Sequence, residues 1–298
     1  MKIGYIGLGK MGLNMVERLV KTGHQVSVSN RSPEPIKKAE SLGAKGFYSY
    51  EELVKSLKAP RLIWIMVSHQ AVDEVIERIL PLLSKGDLIV DGGNSPYLET
   101  IKRAKKIEAK GFKFMDVGTS GGPGGAKNGA CLMIGGRKEN YEKLKPLFKD
   151  LSVKDGFGYF GRAGAGHFVK MVHNGIEYGM MQAIGEGFEV MKKSGFDLPL
   201  EKIASIYNRG SVIESRLVGW LESAYKAYGE DLKEISGEIS HSGEGQWTVE
   251  VAKRLKVPVP IIKGSLDFRV KSKGHPSYTG QVVSALRNQF GGHKVDKK

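Results

Sequence analysis

The chain has few of the features that mark secreted or membrane proteins. It contains one cysteine, Cys131, among 298 residues, which excludes an internal disulfide and suits a reducing compartment. Its longest apolar run, LIWIMV at 62–67, is far shorter than the roughly 20 residues that cross a bilayer. Met1 leads directly into a strand-like run, without a basic segment and an apolar signal core. We therefore expect a cytoplasmic protein in which Cys131 is a small core residue.

The sequence also lacks an acidic excess and any set of metal ligands. The formal net charge is +14, but the lysines are scattered and no aromatic-rich basic motif accompanies them. This pattern argues against binding to nucleic acid or to a membrane and suits an anionic small-molecule substrate. No cluster of His, Asp and Glu has ligand spacing, so no metal is expected.

Hydrophobic periodicity divides the chain into two parts. In residues 1–163, short apolar runs typical of strands alternate with helical patterns. This alternation predicts an α/β domain with a doubly wound, Rossmann-type parallel sheet. From residue 164 to 298 the strand patterns stop and helical patterns follow. We predict a dinucleotide-binding domain at 1–163 and a mostly helical second domain at 164–298.

A GxGxxG pattern at Gly7-Leu8-Gly9-Lys10-Met11-Gly12 follows the first apolar run and opens an amphipathic helical pattern. In this context the glycines permit a tight turn, the approach of a pyrophosphate and close helix–strand packing. The helix N-terminus would supply amide donors to the phosphates. We interpret the segment as a dinucleotide loop.

The end of the second predicted strand bears on the choice of nucleotide. A site specific for NAD usually carries Asp or Glu there, to bind the ribose 2′-hydroxyl. This chain instead has Ser29-Asn30-Arg31-Ser32, in which no carboxylate would repel a 2′-phosphate and Arg31 could pair with one. The sequence favours NADP over NAD.

Two further glycine loops and one polar stripe remain. The loops are DGGNS at 91–95 and GTSGG at 118–122, and each alone fits either a ligand-binding loop or a plain turn. Lys170, His173 and Asn174, with Glu177, fall at i, i+3, i+4 and i+7 and would share one helical face.

Together these segments identify a family resemblance. The chain resembles the decarboxylating 6-phosphogluconate dehydrogenases in their short bacterial form, within the β-hydroxyacid dehydrogenase superfamily. The matching segments run in order along nearly the whole chain: GLGKMG at 7–12, NRS at 30–32, DGGNS at 91–95, TSGG at 119–122, LMIGG at 132–136, KMVHNGIEYG at 170–179, EGQWT at 244–248 and RNQFGGH at 287–293.

The resemblance implies a reaction and a set of site residues. The reaction converts 6-phospho-D-gluconate and NADP into D-ribulose 5-phosphate, carbon dioxide and NADPH, in the pentose phosphate pathway and gluconate utilisation. The implied cofactor-binding residues are Gly7, Leu8, Gly9, Lys10, Met11, Gly12, Asn30, Arg31, Ser32, Val67, Ser68, His69 and Asn94. The implied substrate-binding residues are Asn94, Ser120, Gly121, Gly122, His173, Asn174, Tyr178, Arg269, Arg287 and His293.

Lys170 and Glu177 match the catalytic positions of that family. Lys170 would be the base on the 3-hydroxyl, which requires a pKa well below the usual value of about 10.4. Once protonated, it could donate to the enolate oxygen during decarboxylation. Glu177 would be the acid that protonates the enediol carbon, and an apolar environment would keep it protonated.

Two features of the family concern the phosphate site. In long-form members a lysine in a KGTGKWT-like loop contacts phosphate, whereas residues 242–247 here read SGEGQW, without lysine and with a carboxylate. The resemblance also implies a homodimer, or a dimer of dimers, in which Arg287 and His293 complete the site of the neighbouring subunit. The second domain would then serve both substrate binding and dimerisation.

The pattern of the long helix supports a buried stripe without using the resemblance. On the face of Lys170 and Glu177, the later turns carry Met181, Ile184 and Phe188, whereas Gln182, Glu186, Glu189 and Lys193 would point to water. A solvated face would stay polar along the helix. We therefore expect the first half of this helix to be buried all round, with its stripe facing a cavity or a ligand.

Two alternatives remain open. The chain could be another β-hydroxyacid dehydrogenase, acting on 3-hydroxyisobutyrate or tartronate semialdehyde without release of carbon dioxide. It could also be a non-catalytic NADP-binding protein on the same fold.

Overall fold

The computed structural model describes residues 1–240 and 243–292. By compactness the chain divides into two units, Met1–Met171 and Val172–Lys298. This division falls inside one long helix, whereas the change in sequence pattern lies at residues 163 and 164. The domain boundary drawn from the pattern stays a prediction.

Eight strands of the first unit form a single sheet. In chain order they are β1 (Lys2–Ile6), β2 (Gln25–Ser29), β3 (Lys45–Phe47), β4 (Leu62–Ile65), β5 (Leu88–Asp91), β6 (Lys113–Ser120), β7 (Ala130–Gly136) and β8 (Ser152–Tyr159). Their spatial order is β3-β2-β1-β4-β5-β6-β7-β8. The first six strands of this order follow the 3-2-1-4-5-6 arrangement of dinucleotide-binding sheets. The predicted Rossmann-type fold is confirmed.

The sheet departs from the sequence-based expectation in two respects. Strands β3 and β8 have no long apolar run, so the apolar pattern of the sequence does not indicate them. Strand β7 is antiparallel to β6, with Ser120 opposite Cys131. The connection between them runs only from Gly121 to Gly129, which is shorter than the dozen or so residues that a parallel crossover needs.

Helices cover both faces of this sheet. They are α1 (Lys10–Lys21), α2 (Pro33–Ser41), α3 (Tyr50–Lys55), α4 (His69–Ile79), α5 (Tyr97–Ala109), α6 (Gly122–Asn128) and α7 (Lys138–Leu151), with a 3-10 turn at Leu80–Leu82. Successive residues of β4 alternate between two cores: Trp64 belongs to one cluster, Ile63 and Ile65 to the other. This is the period-two pattern of a strand buried on both sides.

The second unit is helical, as predicted. Helix α8 (Ala165–Lys193) crosses the division between the units, and α9 (Leu200–Tyr207), α10 (Arg216–Tyr228), α11 (Glu244–Arg254), α12 (Pro260–Ser272) and α13 (Tyr278–Gly291) follow. Helix α13 is buried from Thr279 to Arg287 and supplies Val282 and Leu286 to the core. The described part of this unit contains no strand.

Two expectations about burial and membranes can now be compared with the structure. The prediction that Cys131 is a core residue is wrong, because Cys131 is exposed. It lies near the start of β7, where Ala130 and Leu132 on the opposite face are buried. Among residues 1–240 and 243–292, no helix is long and apolar enough to cross a bilayer.

Candidate active site

The glycine loop between β1 and α1 has the geometry that the sequence pattern suggested. Gly7 has φ +103°, and a Cβ there would lie 2.3 Å from the carbonyl oxygen of Met66. A Cβ at Gly12 would lie 2.1 Å from the carbonyl oxygen of Gly7. Gly9 meets nothing within 4 Å. Gly7 and Gly12 are therefore required by close packing, whereas Gly9 leaves the open side of the loop clear.

A cavity of about 540 Å³ lies beside this loop. Eight of the predicted cofactor-binding residues line it: Gly7, Leu8, Gly9, Asn30, Arg31, Ser32, Val67 and Ser68. The other five do not: Lys10, Met11, Gly12, His69 and Asn94. The backbone N–H of Leu8 donates to Asn30 Oδ1 at 2.9 Å, so the first and second βα loops are joined at the cavity wall.

The amino end of α1 at this cavity suits an anion. Helix α1 has no acidic residue in its first turn, and its N-cap is Gly9, which has no side chain to bond the first amides. The amides at a helix N-terminus and the helix dipole favour phosphate at such a position. Together with the open side at Gly9, the residues present fit a dinucleotide.

The same cavity is also lined by residues that no sequence motif indicated. They include Tyr50, Glu74 and Arg78. The Arg78 guanidinium lies 4.6 Å from the centre of the Tyr50 ring, and its Nη1 lies 3.8 Å from Glu74 Oε1. In the sequence, Glu74 and Arg78 form an ordinary i, i+4 surface pair. Only the tertiary structure places them at this cavity.

The two other glycine loops lie at the carboxyl ends of β5 and β6. Asp91 accepts hydrogen bonds from the Gly93 N–H at 3.2 Å and the Ser95 hydroxyl at 2.8 Å. The Thr119 hydroxyl donates to the Gly92 carbonyl at 3.5 Å, which joins the two loops. The predicted substrate residue Asn94 is exposed at this edge.

The GTSGG loop continues directly from β6. Ser120 is the last residue of that strand and is half-buried. Gly121 and Gly122 follow with φ +125° and +62°, backbone conformations that residues with a side chain rarely adopt.

Lys170 lies against the last residues of β6. Its side chain is buried, with 7% of the residue exposed. A Cβ at Gly118 would lie 2.4 Å from the Cβ of Lys170 and 3.0 Å from the carbonyl oxygen of Gly166. Helix α8 can approach the strand this closely only because residue 118 is glycine.

Three predicted residues of the second unit follow on α8. His173 Nδ1 lies 2.9 Å from Asn174 Oδ1 and 3.8 Å from Glu177 Oε2. The side chains of His173 and Glu177 are 37% and 22% exposed. Because α8 is one continuous helix, Lys170 and Glu177 leave the same face about 10 Å apart along its axis.

A buried cationic cluster lies elsewhere in the second unit. The Arg269 guanidinium stacks on the Tyr178 ring, 3.3 Å from its centre, and a Cβ at Gly245 would lie 2.4 Å from Tyr178 Cε2. Arg269 is 2% exposed, and its Nη1 and Nη2 have no hydrogen-bond partner among the described residues. Burial lowers the pKa of Arg269 to about 10. The two unsatisfied donors make this cluster a candidate anion site.

Arg287 belongs to the same cluster. It is 7% exposed, it donates from Nη1 to Ser240 Oγ at 3.1 Å, and its charge contributes to the lowered pKa of Arg269. Burial also lowers the pKa of Arg287, while the charge of buried Glu244 acts to raise it. The carboxylate noted in the SGEGQW segment therefore lies close enough to influence Arg287.

The family resemblance implied that Arg287 would act in a neighbouring subunit. In this chain Arg287 lies on the buried helix α13, and its charge acts on Arg269 of the same chain. Its role in the site of a neighbouring subunit stays a prediction. His293 lies outside the described residues.

The expected burial of α8 is correct on one face only. Met181 and Phe188 are buried at 1% and 3% exposure, as the helical pattern predicted. Ile176 and Met180, however, are 53% and 43% exposed, so the first half is not buried all round. Gln182, expected in water, is 7% exposed.

No group of three or more His, Cys, Asp and Glu that could hold a metal ion is found in the described part of the chain.

Comparison with known proteins decides the family. A model of the NAD-binding domain of 6-phosphogluconate dehydrogenase matches residues 2–161, and a model of the C-terminal domain of that enzyme matches residues 166–279. The chain belongs to the 6-phosphogluconate dehydrogenase family. The resemblance inferred from the sequence motifs is confirmed.

Relatives in this family align over the whole chain. A Bacillus subtilis protein, YqeC, provisionally named a 6-phosphogluconate dehydrogenase, is 48% identical over 298 residues and 100% of both chains. The NAD(+)-dependent, decarboxylating 6-phosphogluconate dehydrogenase of Haloferax volcanii is 41% identical over 100% of this chain and 99% of its own length. The chain is thus an oxidoreductase of the decarboxylating 6-phosphogluconate dehydrogenase family.

Among solved structures, the Plasmodium falciparum 6-phosphogluconate dehydrogenase superposes with a TM-score of 0.81 at 33% identity. That comparison covers 91% of this chain but only 62% of the Plasmodium chain. The Plasmodium enzyme was solved in complex with NADP+ and with 6-phosphogluconate. A Mycobacterium tuberculosis 3-hydroxyisobutyrate dehydrogenase, at a TM-score of 0.76 and 20% identity, shares the fold.

Proposed function

We propose that this 6-phosphogluconate dehydrogenase family member oxidises and decarboxylates 6-phospho-D-gluconate to D-ribulose 5-phosphate, with reduction of NADP. The observation that carries the proposal is the buried pair of arginines, Arg269 and Arg287, beside Tyr178. A guanidinium with unsatisfied donors in a buried site favours a planar or tetrahedral oxyanion, which it can bind through two hydrogen bonds.

This cluster also separates the proposal from the alternative substrates. 3-Hydroxyisobutyrate and tartronate semialdehyde carry a carboxylate but no phosphate. A short 3-hydroxy acid that is held by its carboxylate at the reacting end would leave the buried donors of Arg269 unsatisfied, at a cost of about 1–3 kcal/mol for each buried polar group. A phosphorylated sugar acid has a second anionic end that can satisfy them.

Lys170 and Glu177 supply the proton transfers in this proposal. Lys170, as the neutral amine, takes the proton of the 3-hydroxyl, and as the ammonium it returns that proton to the oxygen while carbon 1 leaves as carbon dioxide. Glu177 then protonates carbon 2 of the enediol while Lys170 takes up the enediol proton. Proton exchange with solvent restores both groups. Asn94, Ser120, His173 and Asn174, with the Gly121-Gly122 backbone, are proposed to orient the sugar acid by hydrogen bonds.

For the cofactor we propose NADP in preference to NAD. Arg31, Asn30 and Ser32 would hold the 2′-phosphate, and the loop from Gly7 to Gly12 would hold the pyrophosphate. When bound, the nicotinamide supplies the hydride acceptor. The support for NADP is the absence of a carboxylate at the end of β2 and the exposed guanidinium at the cavity, while the Haloferax relative is named as NAD(+)-dependent. The preference therefore needs a direct comparison.

The test is a spectrophotometric assay at 340 nm with 6-phosphogluconate and with gluconate, each with NADP and with NAD, and with carbon dioxide trapping. We expect reduction of NADP with 6-phosphogluconate, one carbon dioxide per NADPH, and a kcat/KM at least 100-fold lower with gluconate, which lacks the phosphate.

Absence of turnover with 6-phosphogluconate would refute the proposal. Turnover of 3-hydroxyisobutyrate without carbon dioxide would favour the first alternative, and cofactor binding without turnover of any 3-hydroxy acid would favour the non-catalytic one. Faster turnover with NAD than with NADP would reverse only the cofactor assignment.

A further inference from the structure

A buried carboxylate holds the first turn of α8 onto the sheet. Asp116, in the middle of β6, is 0% exposed. Its Oδ1 accepts the Gly164 N–H at 2.7 Å and its Oδ2 accepts the His167 N–H at 2.8 Å. Burial raises the pKa of Asp116, and these two hydrogen bonds oppose that effect. A carboxylate that receives two amides at a helix N-terminus caps that helix from a neighbouring strand.

Close backbone contacts leave this turn little freedom to shift. A Cβ at Gly135 would lie 2.5 Å from Asp116 Oδ1 and 2.8 Å from the Gly166 nitrogen. A Cβ at Gly166 would lie 2.4 Å from the carbonyl oxygen of Met133. The helix therefore begins directly on β6 and β7, and the carboxylate fits between the strand and the first turn without space for a larger group.

His167 adds a second attachment to the same turn. Its ring Nδ1 lies 2.8 Å from the hydroxyl oxygen of Thr100 on α5, and the residue is 2% exposed. Its Nε2 is buried without a hydrogen-bond partner among the described residues. The first turn of α8 is thus held by its backbone to β6 and by a side chain to α5.

Lys170 is fixed by this arrangement. It follows His167 by three residues on α8, and its Cβ rests on Gly118, two residues after Asp116 on β6. The same strand ends in Ser120. The hydrogen bonds of Asp116 therefore set the position of the helix that carries Lys170 relative to the strand that carries the serine loop.

We propose that Asp116 is a positioning residue for Lys170: through the Gly164 and His167 amides it fixes where the amine lies above the end of β6. The proposal rests on the proposed function, in which Lys170 is the base. Asp116 is two residues from the loop and bonded to backbone amides, so it acts through α8 and not on the substrate.

The test compares Asp116→Asn with a matched control. Asparagine keeps one acceptor oxygen but turns an NH2 group towards one of the two amides, which displaces the turn. A displacement of about 1 Å can cost about 100-fold in rate. We expect kcat to fall about 10- to 100-fold, with the Kd for NADP, measured by fluorescence titration, changed less than threefold.

Asp87→Asn is the control. Asp87 is also 0% exposed and also accepts two backbone amides, from Arg61 at 2.6 Å and Ser84 at 2.9 Å. It lies just before β5, at the end of the strands opposite the glycine loops. We expect Asp87→Asn to lose stability with kcat within threefold of the wild-type value, when all proteins are assayed well below their Tm.

A second variant disturbs the same contact without changing charge. Gly135→Ala would place a methyl group against Asp116 Oδ1 and the Gly166 nitrogen, so we expect it to lower kcat as Asp116→Asn does. Hydrogen exchange of the 163–171 peptide gives a readout that does not depend on turnover. It should accelerate in Asp116→Asn and not in Asp87→Asn.

The outcomes separate this proposal from the proposed function. An active wild type with kcat of Asp116→Asn no lower than that of Asp87→Asn would overturn the positioning role. Equal exchange of the 163–171 peptide in the two variants would overturn it too. An inactive wild type whose 163–171 peptide still exchanges faster only in Asp116→Asn would refute the function while supporting the contact.

Discussion

Replacing Arg269 by methionine should remove substrate binding without unfolding the protein. Arg269 is 2% exposed, and its terminal nitrogens lack a hydrogen-bond partner in residues 1–240 and 243–292. Burial lowers its pKa from the usual value of a guanidinium to about 10, which corresponds to about 3 kcal/mol of lost stability for the charged form. Because folded and unfolded chains both bind this proton below about pH 10, the cost is present in full at neutral pH.

The opposing contribution is the stacking on Tyr178. A cation over an aromatic ring contributes about 0.5–2 kcal/mol, and a methionine sulfur beside the ring would recover about 0.3–1.5 kcal/mol of it. The free energy of unfolding of ligand-free Arg269→Met should therefore equal or exceed that of the wild type. Two lost hydrogen bonds to a phosphate, at about 1.5–3 kcal/mol each, should raise KM for 6-phosphogluconate at least 100-fold.

The assay combines steady-state kinetics with thermal unfolding, with and without 6-phosphogluconate. The substrate should raise the Tm of the wild type and not that of Arg269→Met. Arg103→Met is the control: Arg103 is 5% exposed but forms salt bridges with Asp73 at 2.6 Å and with the fully buried Asp91 at 3.7 Å. Its loss removes the cation that pairs with the buried Asp91 carboxylate and should cost about 3–5 kcal/mol. If Arg269→Met lowers the ligand-free Tm as much as Arg103→Met does, the reasoning is wrong.

Three further variants test other parts of the site. Lys170→Ala keeps the Cβ that rests on Gly118, so the variant should fold normally and bind NADP. Its kcat should fall by roughly three orders of magnitude or more, as expected when a general base is lost. Turnover within tenfold of the wild-type value would remove Lys170 from the mechanism. Arg31→Ser should raise KM for NADP about 10- to 100-fold, because charge-assisted hydrogen bonds to the 2′-phosphate are lost. The KM for NAD should change less than threefold. Equal changes for both cofactors would contradict a contact between Arg31 and the 2′-phosphate. Glu244→Gln removes a negative charge that would repel an anion bound beside Arg287, so it should lower KM for 6-phosphogluconate about three- to tenfold. The control Glu250→Gln, on the exposed face of α11, should leave this KM unchanged. An increase in KM for Glu244→Gln would show that Glu244 orders the site.

Much of the first unit could be predicted from local sequence patterns. The GLGKMG loop combined an apolar strand, a glycine turn and an amphipathic helix in one continuous stretch, and the structure has all three at the expected residues. The antiparallel β7 could not be recognised from its apolar run, because strand direction depends on the length of the connection and on neighbouring strands. Cys131 was misplaced for a similar reason, since a run such as ACLMIGG does not show which alternate residue is left uncovered.

The sequence by itself determined which chemical groups the long helix carries and how they are spaced. Local helical geometry requires no other part of the chain, so Lys170, Asn174 and Glu177 had to share a face. Only the tertiary structure decided their environment: Gly118 brings Lys170 onto β6, and the exposed Ile176 and Met180 show that the same helix is open on another side.

The phosphate cluster shows the same division. The residue types Tyr178, Arg269 and Arg287 were evident from motifs, but they are distant in sequence and no periodicity relates them. Their proximity depends on α8, α12 and α13 packing around one core. The cost of burying Arg269, and with it the affinity expected for an anion, arises only when those helices pack and remove the guanidinium from water.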